Sequence, residues 1–152
     1  MSELSGDALA AALRALVATT GDAVVVVDRD GIIRFWNAGA ERIFGHARGD
    51  ALGASLDLII PEQLRARHGD GFRRAVARGT TSYGERTLAV PAIRAGGERI
   101  SIEFTVTLLR DDSAAVVGVA AIMRDVTERW RADVALRKRV AELERELSEV
   151  RT

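Results

Sequence analysis

Residues 23–36 commit this chain to an antiparallel sheet. Ala23–Asp28 is a dense β-branched run (AVVVVD), Arg29-Asp30-Gly31 follows, and Ile32–Trp36 is apolar again. β-Branched side chains pack well on a pleated surface and less well in a helix. Asp-Gly between two apolar runs is a strong hairpin signal. A second segment carries the same message by period. Glu98–Leu109 alternates, with Ile100, Ile102, Phe104, Val106 and Leu108 on one face and Ser101, Glu103, Thr105 and Thr107 on the other. A strand with one apolar face needs a cover on that face.

The rest of the domain supplies that cover. Asn37 is placed to cap a short helix, Ala38–Phe44, and Gly45 to end it. A second short helix is expected over Arg48–Leu52, closed by Gly53. Residues 55–60 (SLDLII) run into Pro61, which suits the first turn of a helix from Glu62 to about Arg78. Leu64, Phe72 and Val76 share one side of it, while Gly69 and Gly71 each weaken its centre by about 1 kcal/mol relative to alanine. Ser82–Pro91 reads as a strand, Ala92–Gly97 as a turn through Gly96-Gly97, and Val116–Arg124 as the last strand after a turn at Arg110–Ser113. Strands grouped apart from helices indicate an α+β fold with an antiparallel sheet and the central helices on one face.

Two helices flank this unit. Residues 5–18, capped by Ser5 or Asp7, put Leu9, Leu13, Leu16 and Val17 on one face, which must dock on something because an isolated helix of this length is marginal. From Thr127 to Thr152 a long helix spaces Leu136, Val140, Leu143, Leu147 and Val150 in a 4-3-4-3 seam flanked by Glu and Arg. That heptad pattern favours a parallel homodimer over a helix folded back on its own domain. The expected organisation is therefore an N-terminal helical cap (1–20), a central domain (21–126) and a C-terminal coiled-coil helix (127–152).

Composition narrows the function. Lys+Arg and Asp+Glu are both 22, so the basic surplus of a general nucleic-acid binder is missing. There is no cysteine, which removes disulfides, thiolate metal sites and any flavin–cysteine photochemistry, and fits a cytoplasmic location. The longest apolar run, Ala114–Met123, is too short to span a bilayer, so no membrane is expected as partner. No Gly-rich phosphate loop, metal triad or nucleophile–His pairing is present, so the chain is not expected to be an enzyme.

The segments GDAVVVVDRDGIIRFWNAGAERIFGH, GGERISIEFTVTLL and VVGVAAIMRDVTER together resemble the PAS domain family over about residues 21–130. The last of them carries the family's Asp-Val-Thr exit (Asp125-Val126-Thr127) into a signalling helix. The resemblance implies a PAS fold, a five-stranded antiparallel sheet whose inner face and central helices enclose a ligand pocket. It also implies a sensory role, and with no output module following the sensor, output is expected to pass to another signalling protein unless the chain is a piece of a longer sensor.

Within that family, LIIPEQLRARHGDGFRRAV resembles the haem-binding helix of PAS domains in oxygen-sensing histidine kinases and haem-regulated phosphodiesterases. Pro61-Glu62, Arg65 or Arg67, and His68 match the pattern, and the resemblance makes His68 the iron ligand of a b-type haem. A neutral imidazole is a good haem ligand, and Gly69 and Gly71 would let a flat macrocycle approach the backbone. The same alignment implies a propionate contact for Arg74, which plain solvation would also explain, and distal lining by Tyr83, Phe104 and Val106. The position at which the oxygen sensors carry a ligand-binding Arg is Leu88 here, with Arg86 two residues earlier on the same strand face. Either Arg86 reaches over the iron or the distal side is apolar, which would suit CO or NO better than O2. His46, after Gly45, reads as a surface residue. The rival reading is a haem-free PAS module for dimerisation, partner binding or a small organic ligand.

Overall fold

A computed structural model describes residues 5–81 and 89–151. Five strands form one antiparallel sheet: β1 (Ala23–Asp28), β2 (Ile33–Trp36), β3 (Val90–Ile93), β4 (Arg99–Arg110) and β5 (Val116–Asp125), in the spatial order β2-β1-β5-β4-β3. The helices are α1 (Gly6–Thr19), α2 (Ala38–Phe44), α3 (Arg48–Ala51), α4 (Arg65–Arg78) and α5 (Thr127–Val150). The first and last strands in sequence lie side by side at the centre, because β5 returns between β1 and β4.

The alternation in β4 sets the inner face as its spacing requires. Phe104 pairs with Met123, Val106 with Ala121 and Leu108 with Val119. Those β5 residues pair in turn with Ala23, Val25 and Val27 of β1. The resulting rows pack against Ala40 and Phe44 of α2, Ala51 of α3 and Ile59, with Phe72 and Val76 of α4 set against the same core. Fully burying a side chain such as Phe44 or Ile59 contributes about 1.5–3 kcal/mol, so the cover of helices and the sheet stabilise each other.

The connection from β2 into α2 is held by Asn37, the only buried polar residue among those described. Its Oδ1 accepts from the backbone N–H of Val24 at 2.8 Å and of Ala40 at 2.9 Å. Its Nδ2 donates to the carbonyls of Val17 at 2.9 Å and Asp22 at 3.0 Å. One amide thus caps α2 and ties α1, the lead-in to β1 and β1 itself to one point. Gly45 ends α2 in the left-handed conformation expected of it, at φ 75°.

Several elements differ from the sequence reading. The strand expected at 82–91 is seen over Val90–Ile93 within the described residues, and it continues through Ala92, which was assigned to the turn. Ala92 pairs with Ile100 and Ile93 with Arg99, so the reversal is displaced to residues 94–98. It closes there through Arg94 N–H to Glu98 C=O and Gly97 N–H to Arg94 C=O, at 2.9 Å each, with Gly96 and Gly97 at positive φ. The helix expected from Glu62 starts instead as a 3-10 turn over Glu62–Leu64, and α4 proper begins at Arg65. Leu64 N–H reaches back to Pro61 C=O and Arg65 Nε to Ile60 C=O, which tightens that first turn. The apolar face of α1 is largely open: Leu9, Leu13 and Leu16 are exposed, and only Ala10 and Val17 are half-buried. Along α5, Leu136, Val140, Leu143, Leu147 and Val150 are all exposed as well, so the heptad seam is not used within the chain. No described helix is long and apolar enough to cross a membrane.

Candidate ligand-binding site

The turn after β1 begins the site. Asp28 Oδ1 accepts from the N–H of Asp30 at 3.0 Å and of Ile32 at 3.1 Å, and Gly31 takes φ 78°. This is the local chemistry an Asp-Arg-Asp-Gly turn favours. The turn is then fixed to the segment before α4. Ile32 bridges Ser55, and Leu56 N–H donates to Gly31 C=O at 2.9 Å. Ser55 caps the 3-10 turn Leu56–Ile59 by accepting from Asp57 N–H at 3.2 Å.

Between this turn, residues 55–57 and the first half of α4 lies an open cleft of about 280 Å³. His68 and Phe72 line it from α4, Arg29 and Asp57 from the other side. The His68 and Phe72 rings are stacked, with centroids 6.4 Å apart and planes 27° from parallel. Burial pushes the His68 imidazolium pKa below its ordinary range, and the Asp57 carboxylate opposes that only in part. His68 is therefore neutral at pH 7, with a nitrogen lone pair free to bind. Phe72 joins the cleft to the inner-face core, since it lines the one and packs against the other.

The backbone of α4 is open beside His68. A Cβ added at Gly71 would meet nothing within 4 Å, and one at Gly69 would meet only the mobile end of Arg73, at 3.4 Å. A flat ligand can therefore approach this stretch closely.

The other site candidates fall in different places. Phe104 and Val106 sit half-buried on the inner face, packed against the core, and do not line the cleft beside His68. Arg74 is exposed and does not line the cleft, whereas Arg73 does and is ion-paired with Asp70. Tyr83, Arg86 and Leu88 lie outside the described residues. His46 is not the surface residue its loop position suggested. Its ring meets Trp36 edge-on at 6.5 Å, and its Nε2 is buried with no hydrogen-bond partner among the described residues. The Trp36 indole N–H donates to the His46 carbonyl at 3.0 Å, which pulls this loop onto the core. Sequence reasoning missed Arg29, Ser55 and Asp57, because long-range backbone bonds between residues 31–33 and 53–56 bring them together beside α4. Among the described residues no group of three or more His, Asp or Glu is arranged to hold a metal ion by itself.

Comparison with known proteins accords with this architecture. The family model described as PAS fold matches residues 17–131. An uncharacterised protein of Azorhizobium caulinodans is 36% identical over 129 residues, covering 84% of this chain and 17% of its own length. The sensor protein FixL of Bradyrhizobium diazoefficiens is 29% identical over 133 residues, covering 86% of this chain and 26% of its own length. The chain thus spans about a quarter or less of the curated relatives it matches. The crystal structure of a PAS domain from Colwellia psychrerythraea superposes with a TM-score of 0.69 at 22% identity, covering 79% of this chain and 98% of that one. With the sheet order and the family match in agreement, the chain belongs to the PAS fold family.

Proposed function

We propose that this PAS domain is a sensory input module that binds b-type haem through His68 and passes a gas or redox signal to a dimeric α5. The observation that carries the reading is the half-buried His68, held neutral by burial on the glycine-opened surface of α4. A neutral imidazole is the donor a haem iron takes. Bound there, haem would supply an iron able to take a diatomic ligand or change oxidation state. Phe72 and Arg73, which line the same cleft, would help hold it, and Arg74, outside the cleft, remains the propionate candidate named by the resemblance. Tyr83, Arg86 and Leu88 remain the distal candidates named by the resemblance. The sensor protein among the relatives supports the sensory half of this reading.

The output half rests on α5. Its seam is exposed along its whole length and follows a heptad, so a second copy would bury it in a parallel coiled coil. Ligand binding shifts such an assembly only by the difference in affinity between its two arrangements.

Addition of haemin to the purified protein, followed by visible spectroscopy, tests the cofactor. A saturable Soret band in the native protein and in His46→Ala, lost or displaced in His68→Ala, is the expected result. No Soret band in the native protein overturns the haem reading. A second reading is favoured by one observation: the inner face is filled by its own side chains, Phe72, Phe104, Val106 and Leu108 among them. On that reading the polar cleft takes a small organic ligand and the domain serves dimerisation or partner binding.

A further inference from the structure

The first residues of β1 and the last of β5 are neighbours, since Ala23 pairs with Met123. The chain therefore enters from α1 and leaves into α5 at the same end of adjacent strands. Charged side chains cross the outer face between these two points. The Asp22 carboxylate accepts from Arg124 Nε at 3.1 Å and Nη2 at 3.0 Å, a forked pair between residues far apart in sequence. Arg124 lies opposite Glu103 in the β4–β5 register. Glu103 is in turn ion-paired with Arg129 in the first turns of α5. The signs alternate from the α1 hinge to the base of α5: Asp22, Arg124, Glu103, Arg129.

Both ends of this line are anchored. Asp22 is gripped through its backbone, whose carbonyl accepts from the Asn37 amide that also holds the last turn of α1 at Val17. A Cβ at Gly39 would lie 2.0 Å from that carbonyl, so α2 packs directly against residue 22. At the other end, Val126 N–H donates to Ser101 C=O and Ser101 N–H to Thr127 Oγ1, at 2.9 and 3.0 Å, which fixes the start of α5 to β4.

We propose that the Asp22–Arg124–Glu103–Arg129 line couples α1 to α5 across the outer face of the sheet. It gives the domain a second input that does not pass through the site on α4. A rotation of α1 moves Asp22 and, through the forked Arg124, the base of α5. Each exposed pair is weak alone. The coupling comes from the geometry of the fork, which a lysine cannot reproduce.

A cycle of variants read by hydrogen exchange of the full chain tests this. Leu13→Pro disrupts α1, and the amides of Val126 and Trp130 report on the base of α5. In the native background Leu13→Pro is expected to speed their exchange by roughly two- to tenfold, the range of coupled neighbouring sites. In Arg124→Ala or Arg124→Lys backgrounds the same substitution should add nothing. Amides of the β4–β5 ladder between Val106 and Ala121 should keep their protection, which shows that the fold survives. Strictly additive effects, or no response of residues 126–130 to Leu13→Pro, would overturn the proposal. Arg124→Lys keeps the charge and serves if Arg124→Ala unfolds.

Discussion

Replacing Asn37 by alanine tests the junction that every terminal element shares. Asn37 is 3% exposed and makes four hydrogen bonds, to Val24, Ala40, Val17 and Asp22. Truncation strands two backbone donors and two backbone acceptors. The Val24 and Ala40 N–H groups are buried, and such groups cost about 1–3 kcal/mol each when left unpaired. The Val17 and Asp22 carbonyls lie nearer solvent, where water can replace the amide. Loss of the α2 cap, worth about 1 kcal/mol, is part of the same sum and not an addition to it. The expected destabilisation is therefore about 3–4 kcal/mol, which for a domain of this size lowers Tm by roughly 6–16 °C. Urea unfolding followed by far-UV circular dichroism, at one fixed protein concentration, measures it. Asn37→Asp separates the halves of the network. It keeps the acceptor and cap but presents a carboxylate to two carbonyls, so it should be as damaging as alanine at pH 7. Its carboxyl pKa is raised in the folded state, so the penalty should shrink as pH falls towards 4 and the group protonates. An alanine variant within about 1 kcal/mol of native would refute the claim that this amide organises the junction.

Other expectations follow from the same geometry. Because burial lowers the His68 pKa, the unfolded chain binds its proton first; native stability is full above about pH 6.5 and declines below it, and His68→Gln should flatten that slope in melts between pH 5 and 7. The carboxylates of Asp22, Asp28 and Asp111, held low by Arg124, by the Ile32 N–H and by the Ser113 hydroxyl respectively, add stability that is lost only in a lower window, below about pH 4. A Cβ at Gly118 would lie 2.6 Å from the Val27 carbonyl, so Gly118→Ala should cost about 1–3 kcal/mol by forcing β1 from β5, while Gly49→Ala, which meets nothing within 4 Å, should be neutral or slightly stabilising in the same melts. Leu143→Glu should convert a dimer into monomers in sedimentation velocity and leave the far-UV spectrum of the sheet unchanged; an unchanged sedimentation coefficient would remove the coiled coil from the account.

Local chemistry was legible in the sequence wherever it decided the structure. The period-2 pattern of β4 fixed which side chains face the helices, because a one-residue slip would have turned Phe104 and Val106 outward. The Asn37 cap and the Gly45 stop bounded α2 correctly for the same reason. The β3–β4 reversal was misplaced because Pro91 reads as a strand end and Ala92 is a poor strand former, whereas the pairing of Ala92 and Ile93 with Ile100 and Arg99 decides. The exposed face of α1 was not legible either, since periodicity shows that a face is apolar and not what covers it. At the site, His68 stood out by its motif, but its neighbours did not. Arg29 and Asp57 meet beside α4 through long-range backbone bonds between residues 31–33 and 53–56, and the burial of the His46 ring depends on Trp36, ten residues away in sequence.

The most direct test of the proposed relay is the distance between paired α5 helices in the proposed haem-loaded dimer. The chain has no cysteine, so Arg145→Cys, two residues past Leu143 and off the seam, gives one spin label per protomer at a defined point of α5. Double electron–electron resonance of the ferrous protein with and without carbon monoxide should give two distinct distance distributions, and His68→Ala should give one. Identical distributions with and without the gas would contradict a signal passed from His68 to α5.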